Sequence, residues 1–130
     1  TAWCVQATGQ HIPFPNRSFD TVVATFPAPY ILDPLTLAEC VRILRVSDNG
    51  QRVGRLIIIG LWVEFAAPAL RNFPGIFYGT PSSELLTGAQ ARLADAGFTA
   101  SITAAPVAWA RVGIIEAQLQ PLLPEEQATG

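Results

Sequence analysis

At 130 residues, half of them hydrophobic and 14% charged, the chain is long enough for one domain with a substantial core, and its composition implies much buried strand. A net charge of −2, with the eight basic residues scattered singly, leaves no electrostatic footprint for nucleic acid or an anionic membrane surface. Two cysteines outside any C-x-x-C spacing, Cys4 and Cys40, and a single histidine, His11, argue against a disulfide framework or a conventional zinc site and point to a reduced, cytoplasmic setting. The longest apolar stretch, residues 56–63, is broken by Gly60 and is far short of the ~20 residues a spanning helix needs. No leader with a basic start and an apolar centre is visible. Thr1 opens a chain without methionine, so its start reads as a cut.

Residues 3–7 are short and apolar, as a strand would be. Residues 9–18 hold Gly9, Pro13, Pro15, Asn16 and Ser18, the composition of a loop. Residues 19–26 run almost without polar interruption and suit a parallel strand buried on both faces. Asp33-Pro34 reads as a helix start, because aspartate caps well and proline fits the first helical position. Leu37, Cys40, Val41 and Leu44 follow at helical spacing, with Glu39 and Arg42 outside the stripe as an i,i+3 pair and the helix ending near Arg45.

A polar turn over 47–54 precedes a second buried strand over 55–63. A helix is predicted from Thr80-Pro81-Ser82-Ser83-Glu84, with Leu86, Ala89 and Leu93 as its apolar stripe. Gly97 is its left-handed terminator and Phe98 the apolar residue just beyond. Two closing strands, 98–104 and 107–118, flank Pro106. The predicted order is loop–β–α–β–α–β–β: a parallel α/β sheet with one antiparallel strand near the C-terminus and helices on its faces. The predicted domain spans 1–118, and 119–130 reads as a loose tail.

That order, together with the residues that occupy it, resembles the C-terminal portion of the class I S-adenosylmethionine (SAM)-dependent methyltransferases, closest to the small-molecule, type 11-like group. The resemblance rests on Thr8-Gly9-Gln10-His11-Ile12-Pro13-Phe14-Pro15-Asn16-Arg17-Ser18-Phe19-Asp20 and the strand after it, and on Ile31-Leu32-Asp33-Pro34. It continues in Arg42-Ile43-Leu44-Arg45, Gly54-Arg55-Leu56-Ile57-Ile58 and Leu93-Ala94-Asp95-Ala96-Gly97-Phe98. It implies a Rossmann-like sheet, SAM as cofactor, and methyl transfer to a small apolar acceptor. It also implies that Thr8, Gly9 and Ile12 frame adenine, while Thr25, Phe26 and Pro27 line the cofactor edge. Ligands of open α/β sheets sit beyond the carboxyl ends of the strands, which is where both groups would lie.

Three positions depart from the family pattern. Thr8 stands where the family has an acidic residue that accepts from the adenine amino group. Pro29 and Tyr30 stand where histidines are frequent, and Tyr30 could still orient a substrate. No Gly-rich loop follows a first strand, so roughly 60–90 residues of βαβ units would be missing. The chain then reads as an incomplete part of an enzyme. Strand 19–26 would be an open edge that invites self-association or a complementing N-terminal segment.

Residues 64–80 form a long aromatic stretch with Phe65, Phe73, Phe77 and Tyr78, read as a lid or wall for an apolar substrate. His11 and Asp20 read as ordinary loop and strand-end residues, and no catalytic residue can be named. Two other readings stay open: a non-catalytic methyltransferase-like interaction module, and another doubly wound nucleotide-binding fold.

Overall fold

The computed structural model describes residues 4–25, 29–46, 54–65, 83–107 and 110–120. In chain order they form β1 (Thr21–Thr25), a 3-10 turn (Pro29–Leu32), α1 (Pro34–Ile43), β2 (Arg55–Phe65), α2 (Ser83–Ala96), β3 (Phe98–Val107) and β4 (Ala110–Leu119). The strands make one sheet in the order β1-β2-β4-β3. β1 and β2 are parallel, with Val23 opposite Ile57. β4 is antiparallel to both its neighbours, with Ile115 opposite Ile58 on one side and Ile102 on the other. The last strand therefore returns between β2 and β3 instead of extending the sheet outward.

Each helix is set by local chemistry. The Asp33 carboxylate accepts from the Leu35 and Thr36 N–H groups at 3.1 and 3.3 Å, capping α1, and Pro34 fits the first helical position. Leu37, Cys40, Ile43 and Leu44 are buried, so the predicted stripe faces the core, while Val41 packs at its margin. Burial pushes the Cys40 thiol up to about 11, with the Glu39 charge adding to the shift, so Cys40 acts as a small apolar packing residue. α2 contributes Ala89 and Leu93 and stops at Gly97, whose φ of +106° suits glycine; Phe98 is then fully buried.

The core joins one face of the sheet (Leu56, Ile58, Ile115, Ala117 and Leu119) to both helices. Burial of each large aliphatic side chain there contributes about 1.5–3 kcal/mol.

Several boundaries differ from the sequence reading. Residues 4–7 are irregular: Val5 is exposed, and the segment has no ladder partner among the described residues. β1 begins two residues later than expected, because Phe19 pairs with Leu44 as an isolated parallel bridge. Among the described residues both helices pack on the same side of the sheet, and residues of the other side are less covered than a strand buried on both faces would be. Val23 on the other side is 53% exposed, and Ile57 and Ile59 are only half-buried.

β2 continues through Glu64 and Phe65, where a loop was expected, and pairs there with Arg111 and Ala110. Pro106 lies inside β3, opposite Arg111, rather than in a turn. β3 is the outer strand of the described sheet, where a missing N–H can be tolerated. β4 runs through Leu119, which is buried, and the Gln120 N–H donates to the Gly97 carbonyl, so both residues belong to the packed unit. Among the described residues no helix is long and apolar enough to cross a membrane.

Candidate cofactor-binding site

The segment 8–19 runs along α1, from its first turn to its last. At the near end the Gln10 side chain donates to the Asp33 carboxylate at 3.1 Å. At the far end the Arg17 N–H donates to the Arg42 carbonyl, and the Ser18 and Phe19 N–H groups donate to the Ile43 carbonyl. Since α1 follows the carboxyl end of β1, residues 8–10 are held at the edge of the parallel pair where α/β ligands sit.

Gly9 is there because of space. A Cβ at this position would come within 3.1 Å of Thr36 Cγ2 and 3.6 Å of the Tyr30 ring. The structure therefore brings Gly9 and Tyr30 together, as two of the residues expected to line the site, with Tyr30 exposed beside the loop. Thr8 folds back on itself: its carbonyl accepts from the His11 N–H, and its hydroxyl accepts from the Gln10 N–H at 3.3 Å. Among the described residues the Gly9 N–H donates to no protein group, and the neighbouring Thr8 hydroxyl keeps acceptor capacity beyond its bond from the Gln10 N–H.

Ile12 does not have that freedom. Its N–H donates to Glu39 Oε1 at 2.9 Å, and its carbonyl accepts from Arg42. Its side chain alone could frame a ring. Thr25 ends β1 and is exposed. Phe65 ends β2. Phe26, Pro27, Phe73, Phe77 and Tyr78 lie outside the described residues, as do most of the residues read as a lid.

Among the described residues the largest electrostatic perturbation falls on the i,i+3 pair expected outside the helix's apolar stripe. Arg42 Nε donates to Glu39 Oε2 at 2.6 Å, and its terminal nitrogens reach the loop. The Arg42 guanidinium and the Ile12 N–H hold the Glu39 carboxyl down to about 2. The same pairing raises Arg42 further above its ordinary range. The folded-state value of Glu39 is depressed, so its contribution is present above 4.5 and is lost as pH falls toward about 2. An acid titration that follows protection of the Ile12 amide is expected to show the loop held throughout the neutral range. Release already above 4.5 would contradict this.

Among the described residues, hollows lie on both sides of α1. On the loop side an open depression of about 500 Å³ is floored by Glu39 and Arg42, whose polar groups are already engaged. On the other side an apolar groove of about 370 Å³ lies between α1 and α2, lined by Leu37, Val41 and Ala96 with Arg92 and Asp95 at its rim.

Under Gly9 the buried Thr36 hydroxyl has no hydrogen-bond partner among the described residues. Thr36→Val keeps the β-branched shape and removes an unpaired polar atom, so the melting temperature should rise, corresponding to about 1 kcal/mol. An unchanged or lower value would show that the hydroxyl is satisfied.

No family model matches the chain. No curated protein matches it either. Solved structures do match. A 16S rRNA (adenine(1408)-N(1))-methyltransferase from Catenulisporales acidiphilia matches with a TM-score of 0.57 at 16% identity, covering 88% of this chain and 57% of that one. A SAM-dependent methyltransferase from Methanosarcina mazei matches with a TM-score of 0.54 at 13% identity, covering 89% and 66%. A (4+2)-cyclase, SpnF, matches with a TM-score of 0.52 at 13% identity, covering 89% and 55%.

The fold is that of a class I SAM-dependent methyltransferase, in part: four strands with one antiparallel member and two helices. The chain spans between about half and two-thirds of the length of the solved structures that it matches.

Proposed function

We propose that this chain supplies the adenine-side wall of an S-adenosylmethionine site and serves methyl transfer to a small apolar acceptor. The observation that carries the reading is the loop at 8–12, pinned beside the first turn of α1, with a Gly9 N–H that has no partner among the described residues. An adenine edge offers a ring nitrogen that accepts and an amino group that donates. The Gly9 N–H and the Thr8 hydroxyl are one donor and one acceptor at adjacent residues, so the loop fits that edge. Ile12 would pack against the ring, with Thr25, Phe26 and Pro27 along the strand edge.

When bound, SAM supplies an electrophilic methyl group on a sulfonium sulfur, which becomes a neutral thioether on transfer. What this chain's residues do is bind, orient and exclude water. Tyr30, beside Gly9, would orient the acceptor, and Phe65, Phe73, Phe77 and Tyr78 would wall its apolar part. Among the described residues β1 is an outermost strand, and a segment N-terminal to these residues, or a second copy of the chain, would add there and extend the site beyond its adenine side.

Calorimetric titration with S-adenosylhomocysteine tests the reading. Saturable one-site binding supports it, and a silent titration contradicts it.

A second reading, a non-catalytic interaction module, is favoured by the neutral Thr8 in the acidic position. One structural neighbour is a (4+2)-cyclase, so this fold also serves another reaction. Binding of S-adenosylhomocysteine without methyl transfer to any acceptor would favour that reading.

A further inference from the structure

Residues 8–19 have little apolar burial to hold them: all but Gly9, Ile12 and Ser18 are exposed. A loop of this kind keeps one shape only if its main-chain polar groups are tied down. Arg42 ties them. Its five N–H donors are all engaged. Nε donates to Glu39 Oε2 at 2.6 Å. One terminal nitrogen donates to the Phe14 carbonyl at 2.7 Å and Asn16 Oδ1 at 2.9 Å. The other donates to the Ile12 carbonyl at 2.7 Å and Glu39 Oε1 at 3.1 Å.

Glu39 closes the circuit by accepting the Ile12 N–H at 2.9 Å. The Arg42 carbonyl also accepts from the Arg17 N–H. Both polar groups of the Ile12 main chain are therefore fixed by one ion pair on α1, three residues along the chain from Gly9. Charge-assisted bonds of this length are about twice as strong as neutral ones, and the planar fork fixes direction as well as distance.

We propose that Arg42, oriented by Glu39, is the positioning residue of the cofactor-binding loop: it sets the shape of residues 8–12 through the main chain without touching the cofactor. The proposal rests on the SAM reading above. A clamp of this kind raises the fraction of molecules whose loop is competent to bind, and apparent affinity scales with that fraction. Lysine preserves the charge but cannot reproduce the fork. Arg45 is the matched control: it is an exposed arginine 3.6 Å from Asp20 that reaches the segment only at its far end, at the Ser18 carbonyl (3.5 Å), and makes no bond to residues 8–12.

The test compares the full chain with Arg42→Lys, Arg42→Ala, Glu39→Gln and Arg45→Lys by two readouts. The first is hydrogen exchange at the Ile12 and Ile115 amides. The second is the calorimetric Kd for S-adenosylhomocysteine. Arg42→Lys is expected to expose the Ile12 amide, leave Ile115 in β4 protected, and weaken binding about tenfold or more. Glu39→Gln is expected to act in the same direction, and Arg45→Lys to change neither readout. Unchanged Ile12 protection in Arg42→Lys overturns the clamp. Ile12 freed with unchanged Kd overturns the positioning role and leaves Arg42 purely structural. If Arg42→Ala fails to fold, the lysine variant still decides. Wild-type protein that does not bind S-adenosylhomocysteine overturns the SAM reading and with it the positioning role, while the exchange readout separately decides whether Arg42 holds the loop.

Discussion

Gly113→Ala is expected to lower the melting temperature by on the order of 10 °C, through overpacking of about 2–3 kcal/mol. Gly113 lies in β4, opposite Ala104, on the face turned to the helices. The indole of Trp62 rests directly on it, in the space that a Cβ would occupy. Trp62 is 3% exposed and belongs to the core, so it has nowhere to retreat. β2 shifts register between Ile59 and Val63, with Gly60 at φ +83° inside the shift. That bulge re-aims the strand and places the tryptophan over β4. Thermal unfolding measures the effect. If the clash is its cause, Trp62→Leu in the Gly113→Ala background should recover part of the loss. A wild-type melting temperature for Gly113→Ala would show that the indole can move aside.

The second large effect concerns affinity. Thr8→Asp is expected to tighten binding of S-adenosylhomocysteine roughly five- to tenfold, the equivalent of about 1 kcal/mol between a neutral and a charge-assisted hydrogen bond. The Thr8 hydroxyl already accepts the Gln10 N–H at 3.3 Å and has limited capacity left for a ligand amino group. A carboxylate has two oxygens, so one can hold Gln10 while the other accepts from the ligand. Thr8→Val should shift the Kd the other way. If neither substitution changes the Kd, Thr8 does not face the adenine.

Where the chemistry is local, the sequence was readable. Asp33-Pro34 starts α1 because a carboxylate and a proline satisfy a helix N-terminus in any context. Gly97 ends α2 because glycine tolerates a positive φ. Three consecutive isoleucines make β2 wherever the strand lies.

What depends on partners distant in sequence was not readable. A strand–strand return tells that β4 pairs with β3, but not that β4 also inserts beside β2. Residues 4–7 carry a strand pattern, yet a strand exists only with a ladder partner, and among the described residues they have none. In the candidate site, the resemblance implies a cofactor role for Gly9 and a substrate role for Tyr30, and what the structure adds is that the two lie side by side. The Glu39–Arg42 pair is legible as an i,i+3 spacing outside the apolar stripe, but its bonds to the loop at 12–16 are not. A polar loop with few apolar anchors needs main-chain partners, and that need was the signal available for finding its clamp.

The central claim is that residues 8–12 form the adenine wall of a SAM site. Amide chemical-shift mapping of the isotopically labelled chain during titration with S-adenosylhomocysteine tests it most directly. Saturable shifts are expected at Gly9 and its neighbours Thr8, Gln10 and Ile12, with Tyr30 responding beside them. Saturable shifts confined to the groove between α1 and α2, around Arg92 and Asp95, or no shifts at saturating ligand, would contradict it.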